Sequence, residues 1–306
     1  MDATGSSYSL HLGVGVGAIA LVFVFLPIYA RILWIFATNK AYRSLECYQL
    51  MIQIGIAQCL TGPSWFFTGL AHIIQVDHYK LAEWTYKLTG VMVRAEALLS
   101  VLLAVNRLRI ICDWRCTSIL KQKFQQSITY FTCGMIWLWC FIPMAMFVAG
   151  KAEFIVDPKE FLPRYDYTKP YSKLLQDIGS NQLIVTSLLT LVLYIVLVTN
   201  LVHRQCSAGI TSQFKQEKAI LAHAIARFLF EFSAAVLYNL GKYFLPVGDY
   251  VTVFVLFTYP LNNMIVPPVL YLTLYKSVRE EFFVRKRADA TVFTLSQNGR
   301  ASRSLL

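Results

Sequence analysis

Apolar and charged residues alternate along this chain on the scale of a bilayer, not of a helix turn or a strand. Leu12 to Ala30 runs for 19 residues without a charge, long enough to span a membrane as a helix. A cleaved signal peptide is the rival reading. It lacks support: no basic n-region precedes the run, and the run exceeds the usual apolar length of about 7–15 residues. Arg31 can snorkel to the inner surface, so the first span is expected to reach Ala37. The same pattern predicts spans at about Tyr48–Gln75, Tyr86–Cys112, Ser127–Gly150, Asn181–Val202, Ala219–Leu240 and Tyr250–Tyr275. Gly62-Pro63 predicts a kink in the second, and residues 151–180 read as the longest loop. After the seventh span, residues 276–287 put Val278, Phe282 and Phe283 on one side and charges on the other, the pattern of a helix lying on a membrane surface. The Ser/Thr-rich remainder reads as disordered.

The third span is the one the others are organised around. VMVRAEALLSVLLAVNRLRI, residues 91–110, is apolar enough to cross a bilayer yet carries Arg94 and Glu96 inside and Asn106, Arg107 and Arg109 at one end. A charge at the centre of a membrane helix costs about 2.5–3.5 kcal/mol on insertion scales, so such residues face protein or a water-filled cavity. At roughly 100° per residue, Ser100, Glu96 and Thr89 fall within about 20° of the direction of Arg107, and Arg94 falls nearly opposite. A polar stripe therefore runs the length of the helix and is expected to face the interior of a bundle. On the sixth span Arg227 and Glu231 are four apart and share a face with His223 and Tyr238. Arg94, Glu96, Arg227 and Glu231 are expected at similar depth as one neutral cluster, with Arg227 the partner of Glu96, either as a structural clamp or as the movable floor of a ligand cavity.

Composition sharpens this. A chain with 57% hydrophobic and 15% charged residues is one polytopic membrane domain. The net charge of +11 is a topology signal and not a nucleic-acid footprint. With the C-terminus in the cytoplasm the inner segments hold 17 Lys/Arg and the outer ones 8, as the positive-inside rule requires. Residues 1–11 are then the extracellular N-terminus, 12–275 the seven-transmembrane domain, and 276–306 a cytoplasmic surface helix and tail. Arg285-Lys286-Arg287 reads as an anchor to anionic lipid. None of the seven cysteines would lie in an outer loop, so no disulfide is expected. No catalytic motif or metal-ligand spacing is present, and neither an enzymatic site nor a cofactor or metal is expected. His72 and His223 read as packed histidines, because no second ligand stands at helical spacing.

Three local patterns carry a resemblance. Asn106-Arg107 ends the third span, Pro268-Val-Leu-Tyr271 ends the seventh just before the surface helix, and Trp137 lies in the fourth. In these the chain resembles the rhodopsin-like G-protein-coupled receptors. AEALLSVLLAVNR, YQLMIQIGIAQCL and PPVLYLTLYKSVREEF together look more specifically like the nematode serpentine chemoreceptors of the Srt class. Departures accompany it. Asn106 replaces an acid, Leu108 an aromatic and Pro267 an asparagine, while the outer disulfide, the sixth-helix Cys-Trp-x-Pro and the fifth-helix proline are missing.

The resemblance implies an all-α, seven-helix bundle with an outside N-terminus, in the plasma membrane and by family in a sensory cilium, serving olfaction or another chemical sense. Its implied partners are a small-molecule ligand, a heterotrimeric G protein and the lipid bilayer, with no nucleic acid. Asn106, Arg107, Tyr194, Glu217, Pro268 and Tyr271 are the candidate coupling and switch residues. Glu217 is a resting-state partner for Arg107, whose rival reading is a positive-inside anchor. Tyr194 and Tyr271 read equally as interfacial aromatics. A ligand-gated channel or transporter is the competing function, although no internal repeat or filter sequence is visible. A retinal-based light sensor would need a Schiff-base lysine, and none lies between Tyr250 and Tyr275.

Overall fold

The computed structural model describes residues 3–111, 119–208, 248–284 and short helical pieces between 225 and 237, with residue 246. The first span, α1, is Ala3–Thr38, with Pro27 inside it. A one-turn helix α2, Lys40–Arg43, follows, capped by the Asn39 side chain, which accepts from the Ala41 amide at 2.9 Å. The second span is broken into α3, Glu46–Cys59, and α4, Gly62–Ile74. The break falls at the expected Gly62-Pro63 pair, where proline removes a donor and crowds the preceding turn. Thr61 helps close it, its hydroxyl donating to the Gln58 carbonyl at 2.7 Å.

The third span, α5, is Leu81–Ile111. Asp77 caps its start, its carboxylate accepting from the amides of Ala82 and Glu83 at 3.0 and 3.1 Å. Helices α6, Ile119–Val148, and α7, Ser172–Ala208, form the fourth and fifth spans. Between them β1, Phe154–Ile155, pairs antiparallel with β2, Arg164–Tyr165, in the register Phe154 to Tyr165. The fifth span thus begins about two turns earlier than the hydropathy predicts. Residues 172–180 are helical, not loop: Ser172, Leu175 and Gly179 form a buried face while Lys173, Leu174, Asp177 and Ile178 stay exposed.

The seventh span starts as α8, Asp249–Pro260, widens into a π-helical turn over Leu261–Ile265, and continues as α9, Val266–Leu274. Pro267 and Pro268 cannot donate to the carbonyls one turn back, so the hydrogen-bond ladder is interrupted where the helix widens. Last comes the surface helix α10, Lys276–Val284. Val278 is fully buried and Phe283 is exposed. Arg31 ties α10 to α1, donating to the Phe282 carbonyl at 2.8 Å with its guanidinium 4.9 Å from the Phe282 ring centre. Asn39 donates to Glu281 beside it.

Five of the described helices, including the whole seventh span, are long and apolar enough to cross a membrane, and α5 is the most buried of them. It packs against α3, α4, α6 and α7 at once, so both its polar stripe and its opposite side meet protein. Thr89, Arg94, Glu96, Ser100, Asn106 and Arg107 are all buried. Helices α1 and α4 meet more closely still. A Cβ on Gly15 would stand 2.5 Å from the Gly69 carbonyl oxygen, so only glycine lets these backbones touch. On the inner side Tyr29, Phe36, Tyr48 and Tyr271 build the largest aromatic cluster, with the Phe36 and Tyr271 rings edge to face at 5.1 Å.

Candidate functional site

A cavity opens between α5, α7 and the seventh span beneath the hairpin. It offers about 150 Å³ to the centres of water-sized atoms. The hairpin contributes Phe154, Leu162 and Tyr165 to it, α5 contributes Arg94 and Glu96, and the π turn contributes Asn262 and Asn263. The widened turn is what puts two consecutive buried asparagines at mid-membrane depth.

Arg94 is 4% exposed, and its hydrogen-bond partners are neutral. It donates to the Leu175 carbonyl at 2.7 Å and to the Tyr165 hydroxyl at 3.2 Å, while its Nη1 has no protein partner. Taking a charge out of water costs several kcal/mol, of which hydrogen bonds to a charged group each return only about 1.5–3 kcal/mol. Burial pushes the Tyr165 hydroxyl above its ordinary range although Arg94 draws it down, so this partner stays neutral. Trp65 Nε1, Asn262 Oδ1 and Asn263 Nδ2 are buried at the same cavity and also lack hydrogen-bond partners.

Glu96 lines the same cavity and is held from the α3 side. Gln58 of α3 donates to its carboxylate at 2.6 Å and accepts in turn from the Tyr29 hydroxyl of α1. The relay Tyr29–Gln58–Glu96 joins the first three spans, and Gln58 was not a candidate from the sequence: a lone glutamine in an apolar run carries no partner signal. The expected partner Arg227, together with Glu231, Glu217, His223 and Tyr238, lies outside the described residues.

The hairpin is held over α5 by charge. Lys87, 2% exposed, reaches Glu83 at 2.8 Å and Glu153 at 3.6 Å, and Lys169 approaches Glu153 from the loop at 3.4 Å. Burial raises the Glu153 carboxyl, but its hydrogen bond with Glu83 and the surrounding lysines outweigh that and hold it below the usual carboxylate range.

The inner end of α5 is built differently. Asn106 donates to Glu46 at 2.6 Å, and Arg109 lies 3.6 Å from the same carboxylate, binding α5 to the start of α3. Arg107 is buried within electrostatic reach of the Tyr48 and Tyr275 hydroxyls. Tyr271 is fully buried and Pro268 is buried beside it on α9. Tyr271 is thus a core residue and not an interfacial aromatic. So is Tyr194, whose ring centre lies 5.7 Å from that of Phe228 in a cluster joining α5, α7 and the sixth span. Trp137 donates to Gln53 of α3 at 3.1 Å.

A second outer feature escaped the sequence reading. His72, read there as a packed histidine, has a histidine neighbour after all. His11 of α1 places its Nδ1 3.1 Å from the Nδ1 of His72, and both rings stack with Phe161 of the outer loop. The pair is 61 residues apart in sequence, beyond any helical spacing.

A family profile described as serpentine type 7TM GPCR chemoreceptor Srt matches residues 6–290. The chain belongs to that family. It is a G-protein-coupled-receptor-type chemoreceptor and a multi-pass membrane protein. Among solved structures it is similar to the crystal structure of squid rhodopsin, at 12% identity and a TM-score of 0.67, covering 89% of this chain and 84% of that one. That likeness establishes the seven-helix fold and nothing finer. Comparison with curated protein sequences finds no match. In this Srt chemoreceptor, whose third helix carries no cysteine at its outer end, the Glu153 cluster and the Arg94–Tyr165 hydrogen bond both fasten the loop to that helix.

Proposed function

We propose that this chemoreceptor binds a small molecule from outside in the cavity beneath the hairpin and activates a heterotrimeric G protein through the inner end of α5. The observation that carries the reading is the cavity itself, with buried polar atoms around it that lack protein partners. Such atoms cost about 1–3 kcal/mol each when left unmade and are satisfied when a ligand or water supplies the missing group. Arg107, Asn106, Tyr271, Pro268 and Tyr194 form the coupling end. A ligand that draws α7 and the seventh span toward α5 biases two packings of the bundle, and the inner end reports which is populated.

Membership in a receptor family favours this reading over a channel or transporter. The site of action is the plasma membrane, in a sensory cilium, with olfaction as the sense served. The test is guanine-nucleotide exchange on a co-expressed Gα while candidate odorants are screened. Odorant-dependent exchange that disappears when Ser180→Trp fills the cavity supports it. Odorant-dependent ion current without exchange would contradict it.

A further inference from the structure

We propose that the ligand is an oxyanion, a carboxylate in the first instance, and that Arg94 is the residue that binds it. This rests on the cavity reading above and adds the ligand's chemical class.

The guanidinium is positively charged at every physiological pH, and it is buried. Its two protein acceptors, a carbonyl and a phenol hydroxyl, carry no negative charge. Among the described residues no carboxylate forms an ion pair with it. Glu96, two residues along the same helix, also lines the cavity, and its carboxylate takes the Gln58 amide. Arg94 lines the cavity, and its Nη1 is left without a protein acceptor. An anion supplies both the charge and the acceptor that are lacking, through a charge-assisted hydrogen bond to Nη1.

The site is built, because the arginine is held in place. Leu175 and Tyr165 orient its Nη2. One turn along α7 from Leu175, Gly179 lets the guanidinium lie against the helix, since a Cβ there would stand 2.6 Å from Nη2 and 2.9 Å from Nε. Across the cavity the partnerless groups are of another kind. Trp65 Nε1 and Asn263 Nδ2 are donors and Asn262 Oδ1 is an acceptor, all neutral. Between the two ends the wall is apolar, with Val93, Leu183, Val255 and Leu256. The complementary molecule has a carboxylate at one end, an apolar body, and a hydroxyl or carbonyl at the other. A protonated amine at the Arg94 end would meet like charge.

The test uses the full chain in detergent micelles and a panel of six- to ten-carbon carboxylic acids, with and without a terminal hydroxyl. Each is matched with its primary amide and its primary amine. The reading is ligand-induced thermal stabilisation, with Gα nucleotide exchange alongside. At least one carboxylate should stabilise the wild type, with its amide weaker by about tenfold or more in half-saturating concentration. This comparison needs no variant, so it stands even where substitutions misfold. Arg94→Gln should erase the preference for carboxylate over amide. Arg94→Lys, which keeps the charge and loses the fork, should retain part of it.

If amides or amines bind as well as or better than carboxylates, or no carboxylate stabilises the receptor, the oxyanion proposal is overturned. The cavity reading survives separately if such a neutral or cationic ligand is blocked by Ser180→Trp. If carboxylates stabilise wild type and Ser180→Trp alike, they bind elsewhere, and both fail.

Discussion

One helix carries two buried arginines thirteen residues apart in number, Arg94 and Arg107, and their surroundings differ in kind. Arg107, whose Nη2 also lacks a hydrogen-bond partner, is buried within electrostatic reach of Tyr48 and Tyr275, beside a segment tied down by the Glu46 carboxylate, which takes Asn106 and Arg109. Arg94 stands at a cavity wall with neutral partners on one side and open space on the other. The contrast separates two uses of a buried charge. Where packing is tight and acids are near, the charge is suited to holding one arrangement of helices against another. Where packing is loose and no acid is paired with it, it is suited to a molecule that brings its own. Burial alone, which is nearly the same for the two, would not have told them apart.

The largest expected effect falls at the inner site. Arg107→Ala should abolish agonist-stimulated nucleotide exchange while surface expression stays largely intact, measured on membranes matched for receptor number. Unchanged exchange would reduce Arg107 to a positive-inside anchor. Next is Gly179→Ala, which leaves the arginine in place but displaces its guanidinium from Leu175 and Tyr165. It should raise the half-maximal ligand concentration by about tenfold, the loss of one charge-assisted hydrogen bond. Expression should not change, because the displaced atoms end a flexible side chain. Glu46→Gln should raise basal exchange by a few-fold, since it weakens the hold of α3 on Asn106 and Arg109 without touching the cavity. The comparison is sharpened if basal exchange rises and ligand affinity does not move.

The smallest effect concerns the charge cluster over the hairpin. The folded-state value of Glu153 is depressed, so its stabilising contribution is present above the ordinary carboxylate range and is lost only as pH falls through the lower folded value. Thermal stability measured between pH 7.4 and about 5.5 should therefore be flat as far as this group is concerned. Glu153→Gln should lower it slightly at both values.

Much of the frame was legible from residue order alone. Uncharged runs predict the spans to within a few residues at most ends, Gly62-Pro63 predicts the break between α3 and α4, and the 100° rule predicts the buried stripe of α5. These are local signals, in which a residue's role follows from its neighbours in sequence. The features that escaped are non-local. Gln58 and Glu96, His11 and His72, Arg94 and Leu175 are pairs whose members lie on different helices, and nothing near either member marks the other. The early start of α7 escaped because its first turns carry exposed polar residues such as Lys173 and Asp177, which look like loop residues in a hydropathy reading. The coupling face of the sixth span, with Glu217, Arg227 and Glu231, lies outside the described residues.

The most direct test of two separate jobs on one helix is to measure binding and exchange independently in Arg94→Gln and Arg107→Ala, each at equal surface level. Arg94→Gln should shift the binding curve and the exchange curve together to higher ligand concentration, by about tenfold or more, with the maximum reached in the end. Arg107→Ala should leave the binding curve nearly in place and remove the exchange. If both variants lose binding and exchange in the same proportion, the two arginines serve one structural purpose, and the division of α5 into a ligand end and a coupling end is wrong.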